Sequence, residues 1–387
     1  MSKLTVAVVF GSRSTEHDVS IITAIAGVIS PLKLSDKYQA VPVYIAKDGR
    51  WYSDPRLGDI AFYQGGDIEK KLKGFKPLRL LIDHGLWLIN PGLRGARTRI
   101  DVVFPATHGT NGEDGSLMGL CQMAGVPYVG ADLIMSAISM DKLASRRIAQ
   151  DGGVPVPKFV GFSAHEYAED SSRVLKDISK LKYPLFVKPT HLGSSIAVTQ
   201  VKDKKELINA IEVAFHYDTW AIVEEAVPNL VEVTVPIMGN QDWEVGLVEE
   251  YLYKAGEFFD FDSKYLKGGK GKKGGKSSGQ GGGRYSRMPA KLPKPLYKKC
   301  EDTVKRVFYL LGGSGYARID LLVDSKAKKV YFNEVNPMPG SIQSHNWRQA
   351  GTTPLKLIEK LIELGLERKA EQDERTTTFD SSFLSQF

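Results

Sequence analysis

Short apolar runs alternate with segments of helical periodicity in the first third of the chain. The runs at residues 4–10, 40–45 and 101–105 predict β-strands. Residues 18–32 and 115–124 repeat apolar side chains at helical spacing and predict helices. Strands that alternate with helices predict a doubly wound parallel sheet, which binds ligands beyond the carboxyl ends of its strands.

The remainder of the chain predicts two further units of mixed α and β structure. Strands are expected at residues 184–189, 196–201, 220–225, 232–239, 243–253, 316–324 and 329–336. Helices are expected at residues 136–150, 206–215, 295–311 and 357–364. The expected fold class is therefore α/β with three domains, at residues 1–130, 131–225 and 226–368. Residues 369–387 are mostly polar and predict a flexible tail.

The amino-acid composition argues against membrane-spanning, disulfide-rich and zinc-binding classes of protein. The 387 residues are 42% hydrophobic, enough for a sizeable core, and no apolar run approaches the length of a membrane span. The N-terminal apolar run leads directly into Gly11 and polar residues, which indicates a first strand rather than a signal peptide. Cys121 and Cys300 are the only cysteines. Two cysteines give neither a disulfide framework nor zinc-ligand spacing, and we expect reduced thiols in a cytoplasmic protein.

Positive charge is concentrated in one stretch, "KYLKGGKGKKGGKSSGQGGGRYSR", at residues 264–287. It carries eight Lys and Arg residues and no acidic residue, whereas the whole chain has a net charge of +7. The rest of the chain therefore has a net charge of −1, which argues against a generally basic surface for nucleic acid. The stretch also lacks the first glycine of a P-loop, because Lys270 occupies that position.

Three oxygen-bearing side chains lie on two consecutive predicted strands. Asp320 is in "RIDLLVD", and Glu334 and Asn336 are in "FNEVNPMPG". The spacing of Glu334 and Asn336 places both side chains on one face of their strand. Hard oxygen ligands that converge from paired strands suit Mg²⁺. The alternative is a solvated acidic edge, but a carboxylate among apolar residues is costly unless it is paired or metal-bound.

Two turns and a strand end carry further candidate chemistry. Lys188 ends a strand in "FVKPTHLGSS", and the glycine and serines after it suit an anion such as phosphate. Alone this signal is weak, because Gly-Ser turns are common. Glu16 follows the first strand and could receive a substrate ammonium. His108, in "HGTNGEDG", is either a substrate-binding or a structural histidine, and Asp114 could cap the following helix.

These stretches together resemble the D-alanine–D-alanine ligases, a family with the ATP-grasp fold. The resemblance covers residues 4–366, and the motifs occur in family order. They are "VAVVFGSRSTEHDVS", "DVVFPATHGTNGEDGSLMGLCQMAGVPYVG", "MDKLASRRIAQDGGVPVP", "YPLFVKPTHLGSS", "DSKYL" and "ARIDLLVD" with "FNEVNPMPG". The resemblance implies an N-terminal substrate-binding domain, a small central ATP-grasp domain and a C-terminal catalytic domain with a lid loop at residues 262–290.

The resemblance also implies an ATP site and a metal site. Lys142 and Lys188 would contact the ATP phosphates, and Ser194 and Ser195 would lie in the loop near the phosphates. Glu224 or Glu225 would meet the adenine, an ambiguity that the sequence leaves open, and Glu232 would meet the ribose. Lys264 in the lid is a further candidate for ATP and substrate contact. Asp320, Glu334 and Asn336 would bind two Mg²⁺ ions, with Mn²⁺ as a possible substitute.

For the substrates, the resemblance implies that Glu16 holds the ammonium of the first amino acid, assisted by Ser194 and Tyr265. Arg318 would stabilise the oxyanion, and Gly340 would donate its backbone N–H to the tetrahedral intermediate. His108 and Ser344 are the remaining substrate-binding candidates. The implied partners are ATP and D-alanine, with no nucleic acid and no membrane, and the implied assembly is a homodimer.

The chain departs from the family pattern in two places. After "DSKYL" the lid is lengthened by a run that holds nine glycines between residues 268 and 283. The segment after Gly340, "GSIQSHNWRQAG", is shorter than in the family, and Ser344, His345 and Asn346 occupy the region expected to grip the second substrate. Tyr265 is the residue type associated with dipeptide-forming members, which favours an amine as the second nucleophile.

The leading hypothesis is therefore an ATP-dependent D-alanine–D-alanine ligase that supplies peptidoglycan precursor through an acyl-phosphate intermediate. The first alternative is an ATP-grasp ligase that joins a D-amino acid to a different amino acid or to a hydroxy acid. From another class of protein, the alternative is nucleic-acid binding through the Gly/Lys run, which the near-neutral remainder of the chain disfavours.

Overall fold

The computed structural model describes residues 2–91, 95–252 and 286–387. The fold begins with a four-stranded sheet of order β3-β2-β1-β7, in which β1 is parallel to both neighbours. A separate antiparallel meander pairs β4, β5 and β6. The strands are β1 Leu4–Gly11, β2 Tyr38–Ile45, β3 Trp51–Tyr52, β4 Arg79–Ile82, β5 Leu86–Ile89, β6 Arg97–Ile100 and β7 Val102–Pro105.

Both faces of this first sheet are covered, as a doubly wound sheet requires. Strand β1 alternates, with Val6 and Val8 packed into one core and Ala7 and Val9 into another. Helices of this region pack on the sheet, and the meander closes its second face. The helices are α1 His17–Ile22, α2 Ser30–Leu32, α3 Ile60–Tyr63, α4 Ile68–Leu72 and α5 Ser116–Met123, with a 3₁₀ turn at Pro55–Gly58.

A π-helical segment, Thr23–Ile29, joins α1 to α2, so the predicted helix at residues 18–32 is present but locally widened. Such π segments are rare and occur often at functional sites. Here the segment turns Thr23 into the interior, where the side chain is fully buried.

The second unit is an antiparallel sheet of order β10-β9-β11-β8, preceded by two helices. Leu185 and Val187 of β9 pack with helix α10, so the alternate residue Lys188 faces the opposite side. The elements are α6 Leu133–Met140, α7 Lys142–Asp151, β8 Phe159–Ser163, α8 Ala164–Glu169, α9 Ser171–Ile178, β9 Leu185–Pro189, β10 Thr199–Val201, α10 Lys204–Tyr217 and β11 Trp220–Glu225.

The third unit is an antiparallel sheet of order β15-β14-β12-β16-β17, with β13 also paired to β12. The strands are β12 Leu230–Gly239, β13 Glu244–Val245, β14 Glu249–Tyr251, β15 Ser286–Arg287, β16 Gly315–Asp324 and β17 Lys329–Asn336. The helices are α11 Lys294–Leu310, α12 Ser344–Gln349 and α13 Pro354–Asp373, with 3₁₀ turns at Gly340–Gln343 and Phe383–Gln386.

Helix α13, near the C-terminus, packs against the first sheet, near the N-terminus. Its buried residues Leu357, Ile358 and Leu361 belong to the same core as Val6 and Val8 of β1. Its last turns carry the buried Arg368, whose guanidinium donates to the backbone oxygens of Tyr128 and Gly130 at 2.7 Å each. The helix extends to Asp373, beyond the start of the expected tail.

The structure corrects three sequence predictions. The helix predicted at residues 136–150 is two helices, because Asp141 leaves helical geometry and caps α7 through the N–H groups of Leu143 and Ala144. The strand predicted at 196–201 begins only at Thr199, because Ala197 has a left-handed φ of 55°. The strand predicted at 243–253 is two short strands in the described part, β13 and β14.

Among the helices that the structure describes, none combines the length and the apolar character that crossing a membrane needs.

Candidate active site

Glu16 lies in the turn that follows β1, immediately before α1, as the sequence predicted for a sheet-edge carboxylate. The side chain is buried, and Ser194 donates a hydrogen bond to its Oε1. Burial raises the pKa of Glu16, and the nearby charge of Glu113 raises it further, against smaller opposing effects of His108, Ser194 and Lys142. A buried carboxylate of this kind gains by binding a cation such as an ammonium.

His108 links this carboxylate pocket to the C-terminal unit. Its Nδ1 lies 3.6 Å from Glu113 Oε1, and its Nε2 shares a 2.7 Å hydrogen bond with Thr23 Oγ1. Thr23 Oγ1 in turn accepts a 3.0 Å hydrogen bond from the backbone N–H of Ser341. Burial lowers the pKa of His108, but the hydrogen bond and charge of Glu113, together with the charge of Glu16, outweigh burial and raise it.

Two glycines leave room for the pocket. A Cβ on Gly193 would lie 2.9 Å from Glu16 Oε2, and one on Gly109 would lie 2.5 Å from Ser14 Oγ. Gly109 also has a left-handed φ of 70° and donates its N–H to Glu113 Oε2 at 2.6 Å. The close approach of the Gly193 backbone is what allows Ser194 to reach Glu16.

The lysines predicted to bind phosphate face the third sheet. Lys142 Nζ lies 3.2 Å from Glu334 Oε2 and donates to the Leu192 backbone oxygen at 2.5 Å. Lys188 Nζ forms an ion pair with Glu224. Burial lowers the pKa of Lys188, and the charge of Arg146 lowers it further. A buried lysine whose pKa is lowered gains by binding an anion that restores its charge.

Glu224 and Glu225, which the sequence left as alternatives, point in opposite directions from β11. Glu224 lies on the Lys188 side and is almost completely buried. Glu225 points away and accepts a 3.0 Å hydrogen bond from the backbone N–H of Lys182. Only Glu224 therefore shares the Lys188 cluster. Strand alternation decides this, because neighbouring residues of a strand face opposite sides.

Arg146 is a member of the cluster that sequence reasoning missed. The guanidinium is fully buried, forms an ion pair with Glu224, and donates to the backbone and side-chain oxygens of Asn333 at 3.1 and 2.8 Å. These contacts tie α7, β11 and β17 together around Lys188. The available signal was its position four residues after Lys142 in "MDKLASR", which places both side chains on one helix face.

The predicted metal-binding residues meet on one face of the third sheet. Asp320 pairs with Glu334 in the β16–β17 register, and Arg318 pairs with Asn336. Both carboxylate oxygens of Asp320 accept 2.7 Å hydrogen bonds from Arg318, and Asn336 Nδ2 donates to Asp320 Oδ2 at 3.2 Å. Burial alone would lower the pKa of Arg318, but Asp320, Tyr251 and Glu334 outweigh it and raise the pKa.

In the ranges that the structure describes, no cluster of three or more His, Cys, Asp or Glu is placed to hold a metal ion. Asp320, Glu334 and Asn336 instead offer two carboxylates and an amide oxygen. Such oxygen donors suit Mg²⁺, which keeps several waters and needs few protein ligands. The residues therefore fit the ion, and Thr234 orients Asp320 through a 2.6 Å hydrogen bond.

Residues 340–346, called here the Gly340 loop, follow β17 and comprise the 3₁₀ turn Gly340–Gln343 and the first residues of α12. Ser341, Ile342 and Gln343 have consecutive left-handed φ angles of 49°, 54° and 47°. The Tyr316 hydroxyl donates to the Ile342 backbone oxygen at 2.8 Å, and Ser344 Oγ donates to the Ser341 oxygen at 2.9 Å. These contacts fix an unusual backbone immediately after Gly340.

His345 of the Gly340 loop contacts Glu249 of β14, a buried carboxylate that was also missed. Its Nε2 lies 2.9 and 3.2 Å from the two oxygens of Glu249. Burial raises the pKa of Glu249, but the hydrogen bond and charge of His345 outweigh it and lower the pKa. Glu249 therefore stays ionised beside the loop where a second substrate is expected.

The remaining predicted residues divide into two groups. Glu232 lies on β12 near Lys188, close enough for its charge to raise the pKa of that lysine, and Ser195 continues the left-handed turn of Ser194. Lys264 and Tyr265, like the Gly/Lys run, lie outside the described residues. Glu113 and Thr23 also belong to the site but were not predicted as site residues. The motif "GEDG" did place Glu113 at the sheet edge.

The chain matches two family models in sequence. Residues 5–131 match the D-ala D-ala ligase N-terminus, and residues 148–363 match the D-ala D-ala ligase C-terminus. D-alanine–D-alanine ligase B of Clostridium tetani is 32% identical over 373 residues, which cover 95% of each chain. The D-alanine–D-alanine ligase of Thermosipho melanesiensis is 34% identical over 391 residues, which cover 98% of each chain.

Solved structures with the ATP-grasp fold resemble the whole chain. The D-alanine–D-alanine ligase from Coxiella burnetii superposes with a TM-score of 0.78 at 27% identity and covers 97% of both chains. The VanG D-Ala:D-Ser ligase from Enterococcus faecalis gives a TM-score of 0.74 at 30% identity, covering 94% of this chain and all of that one. The expected ATP-grasp fold is confirmed, and the chain belongs to the D-alanine–D-alanine ligase family of ATP-dependent ligases.

Proposed function

We propose that this protein is an ATP-dependent D-alanine–D-alanine ligase that forms the dipeptide of peptidoglycan precursors in the cytoplasm. One observation carries the proposal beyond family membership. Ser194, in the turn that follows Lys188, donates to Glu16 at the edge of the first sheet. An ammonium site and a phosphate site that touch in this way suit a reaction in which an amino acid carboxylate is phosphorylated.

In the first step, the carboxylate of one D-alanine attacks the γ-phosphorus of ATP, giving an acyl phosphate and ADP. Glu16 binds the ammonium of this D-alanine, assisted by Ser194, and His108 holds Glu113 beside them. Lys142 and Lys188 bind the phosphate oxygens as negative charge moves towards ADP. Ser195 lies next to Ser194 in the turn that follows Lys188, near the phosphates. Burial of these groups strengthens each electrostatic contact and excludes water from the acyl phosphate.

In the second step, the amine of a second D-alanine attacks the acyl carbon. The amine loses a proton, the C–O bond to phosphate breaks, and inorganic phosphate leaves. Arg318 faces the developing oxyanion, and the backbone N–H of Gly340 supplies a second donor. Ser344 and His345 lie in the Gly340 loop, where the carboxylate of the second amino acid would bind.

Other residues would hold the nucleotide and its metal ions. Glu224 is the better candidate for the adenine because Glu225 points away, and Glu232 would bind the ribose hydroxyls. Asp320, Glu334 and Asn336 would hold Mg²⁺, which neutralises charge on the ATP phosphates when bound. Lys264 and Tyr265 of the lid remain candidates for contact with ATP and the first substrate.

The test is turnover with D-alanine as the sole amino acid. Purified full-length protein with ATP and Mg²⁺ is expected to release ADP and phosphate in equal amounts, with D-alanyl-D-alanine identified by mass. ADP release without dipeptide would contradict the proposal, as would no turnover from neutral to alkaline pH. L-alanine serves as the control substrate.

A second candidate keeps the first step and changes the second nucleophile. The Gly340 loop is shorter than the family pattern, and one structural relative at 30% identity is named a D-Ala:D-Ser ligase. A mixture of D-alanine with D-serine or D-lactate separates the candidates. A mixed product made faster than the D-alanine dipeptide would favour the second candidate.

Family analogy also leads us to propose a homodimer. Sedimentation equilibrium of the purified protein is expected to give twice the chain mass of 42.7 kDa, and a single-chain mass at micromolar concentration would contradict it.

A further inference from the structure

His191 lies in the turn between Lys188 and the Ser194–Ser195 pair, residues 190–195, called here the Gly-Ser turn. Its Nδ1 lies 2.9 Å from Asp218 Oδ1, and its backbone N–H donates to Asp218 Oδ2 at 2.8 Å. Its Nε2 lies 3.6 Å from Asp141 Oδ2. One imidazole therefore lies between two carboxylates that belong to different elements.

Both carboxylates are fixed by their own elements. Asp141 caps α7, the helix that begins with Lys142, and Asp218 is the residue directly after α10. The Lys142 N–H also donates to the Thr190 backbone oxygen at 3.1 Å, and its ammonium donates to the Leu192 oxygen at 2.5 Å. The start of the Gly-Ser turn is thus tied to the helix that carries the first phosphate-binding lysine.

We propose that protonated His191 is a positioning residue that holds the Gly-Ser turn between Asp141 and Asp218 so that Ser194, Ser195 and Lys142 face the ATP phosphates together. This role rests on the proposed assignment of these residues to the phosphates. In this role His191 acts through Asp141 and Asp218, which its two ring nitrogens face.

The charge of His191 is set by these partners. The carboxylates of Asp141 and Asp218 raise the pKa of His191 to about 9, although its partial burial opposes this. His191 is therefore a cation at neutral pH. The stabilisation from its raised pKa is complete below its ordinary value of 6.5 and is lost as pH rises to about 9.

The charged groups that face the ring are two acids, and one base, Lys142 of α7, contacts the backbone of the turn. Asp141 approaches from α7 and Asp218 from the end of α10, and the Lys142 ammonium binds the backbone one residue further along. Loss of the imidazolium removes the cation that lies between these two carboxylates. Above about pH 9 the turn is therefore expected to loosen where it meets ATP.

The experiment compares ATP affinity of the full-length protein with that of His191→Gln by equilibrium calorimetry without amino acid. At pH 7.5 the wild type is expected to bind ATP about three- to tenfold more tightly, the range for a partly exposed charge-assisted hydrogen bond. By pH 10 the ratio is expected to approach one. Lys188 also loses charge at high pH, but it does so in both proteins, so the ratio isolates His191.

Two further variants complete the test. Asp218→Asn removes one partner, so the pH at which affinity falls is expected to move down towards 6.5, a shift that a merely structural role would not produce. His165→Gln changes an exposed histidine of α8 and is expected to leave ATP affinity unchanged. If His191→Gln does not fold, the Asp218→Asn pH profile decides.

A ratio of one at every pH, or a constant ratio across the pH range, would overturn the role of His191. Failure of the proposed ligase function is distinguishable, because ATP binding is measured without either amino acid. Wild-type protein that binds ATP but makes no dipeptide would contradict the function and leave this test intact.

Discussion

In the pocket around Glu16, side chains make most of the polar contacts, whereas Ser341 and Ile342 at the start of the Gly340 loop are held through their backbone. Glu16, Glu113 and His108 are each buried with a defined charged or hydroxyl neighbour. In the Gly340 loop, Ser341 and Ile342 are fixed through their N–H and C=O groups. Side-chain contacts select one ligand group, whereas a loop held by its backbone can change side chains and keep its shape.

This difference explains where the two halves of the reaction are constrained. Under the proposed function, the first substrate would present an ammonium to Glu16, which leaves little freedom in its identity. Under the proposed function, the second substrate would meet Ser344 and His345, which are only partly buried. Thr23 is the single described residue that contacts both regions through its hydroxyl.

The largest expected effect is that of Glu16→Gln. It removes the carboxylate proposed to bind the ammonium, and kcat/KM for the first D-alanine is expected to fall by roughly 10²–10³, the effect of breaking a buried charge pair. ATP affinity should change little. Steady-state kinetics at fixed ATP measures the first quantity, and calorimetry the second. Glu69→Gln, on exposed α4, is the control.

The same variant should gain stability. A carboxyl whose pKa is raised by folding destabilises the protein above its ordinary value of 4.5, and this penalty grows until pH reaches the folded-state pKa. Glu16→Gln is therefore expected to unfold at a higher urea concentration than wild type at pH 7. A variant that loses both activity and stability would show that Glu16 is structural.

Thr23→Val is expected to have the next largest effect, because it breaks the contact between the two regions. Valine keeps the shape but leaves the Ser341 N–H and the His108 ring without the hydroxyl. We expect about 1–3 kcal/mol loss of unfolding free energy and roughly a tenfold loss of kcat. Thr23→Ser restores the hydroxyl and should recover both. Reduced stability with normal kcat in Thr23→Val would confine Thr23 to folding.

The sequence predicted those parts of the site that depend on local periodicity. Strand alternation correctly placed Glu334 and Asn336 on one face with Asp320, because a strand fixes side-chain direction by itself. The positions of Lys188 and Glu16 were predicted from where the strands end, because ligands bind beyond the carboxyl ends of strands in such sheets. The resemblance added the order of these motifs and hence the ATP-grasp fold.

The parts that were missed depend on contacts between distant residues or on irregular backbone. Arg146 meets Asn333 across 187 positions, which no local pattern encodes. Thr23 reaches His108 because a π-helical segment rotates it inward, and periodicity predicted an ordinary α-helix there. The break between α6 and α7 at Asp141 was not predicted, because the apolar pattern continues through it and a single capping side chain is enough to end one helix and begin the next.

A smaller effect is expected from His345→Asn, which tests whether the Gly340 loop selects the second substrate. Asparagine retains a polar group but removes the imidazole whose Nε2 lies 2.9 and 3.2 Å from the Glu249 oxygens. We expect the ratio of kcat/KM for D-alanine and D-serine as second substrate to change about fivefold, with KM for ATP unchanged. Ser344→Ala is the matched comparison. An unchanged ratio in both variants would place second-substrate selection elsewhere.

The smallest effect is expected from Gly27→Ala. Gly27 is buried where the π-helical segment packs against the Gly340 loop. A Cβ on Gly27 would lie 3.5–3.6 Å from Ser341 and Ile342, an ordinary van der Waals distance. Alanine also reduces the entropy of the unfolded chain, so we expect a gain of about 0.5–1 kcal/mol in unfolding free energy. Denaturant unfolding measures it. If the backbone-held loop is already rigid, as its hydrogen bonds indicate, kcat should not change. A fall in kcat together with the gain in stability would mean that the loop moves away from Gly27 during turnover, and the contrast with the Glu16 pocket would then be one of mobility as well as of contacts.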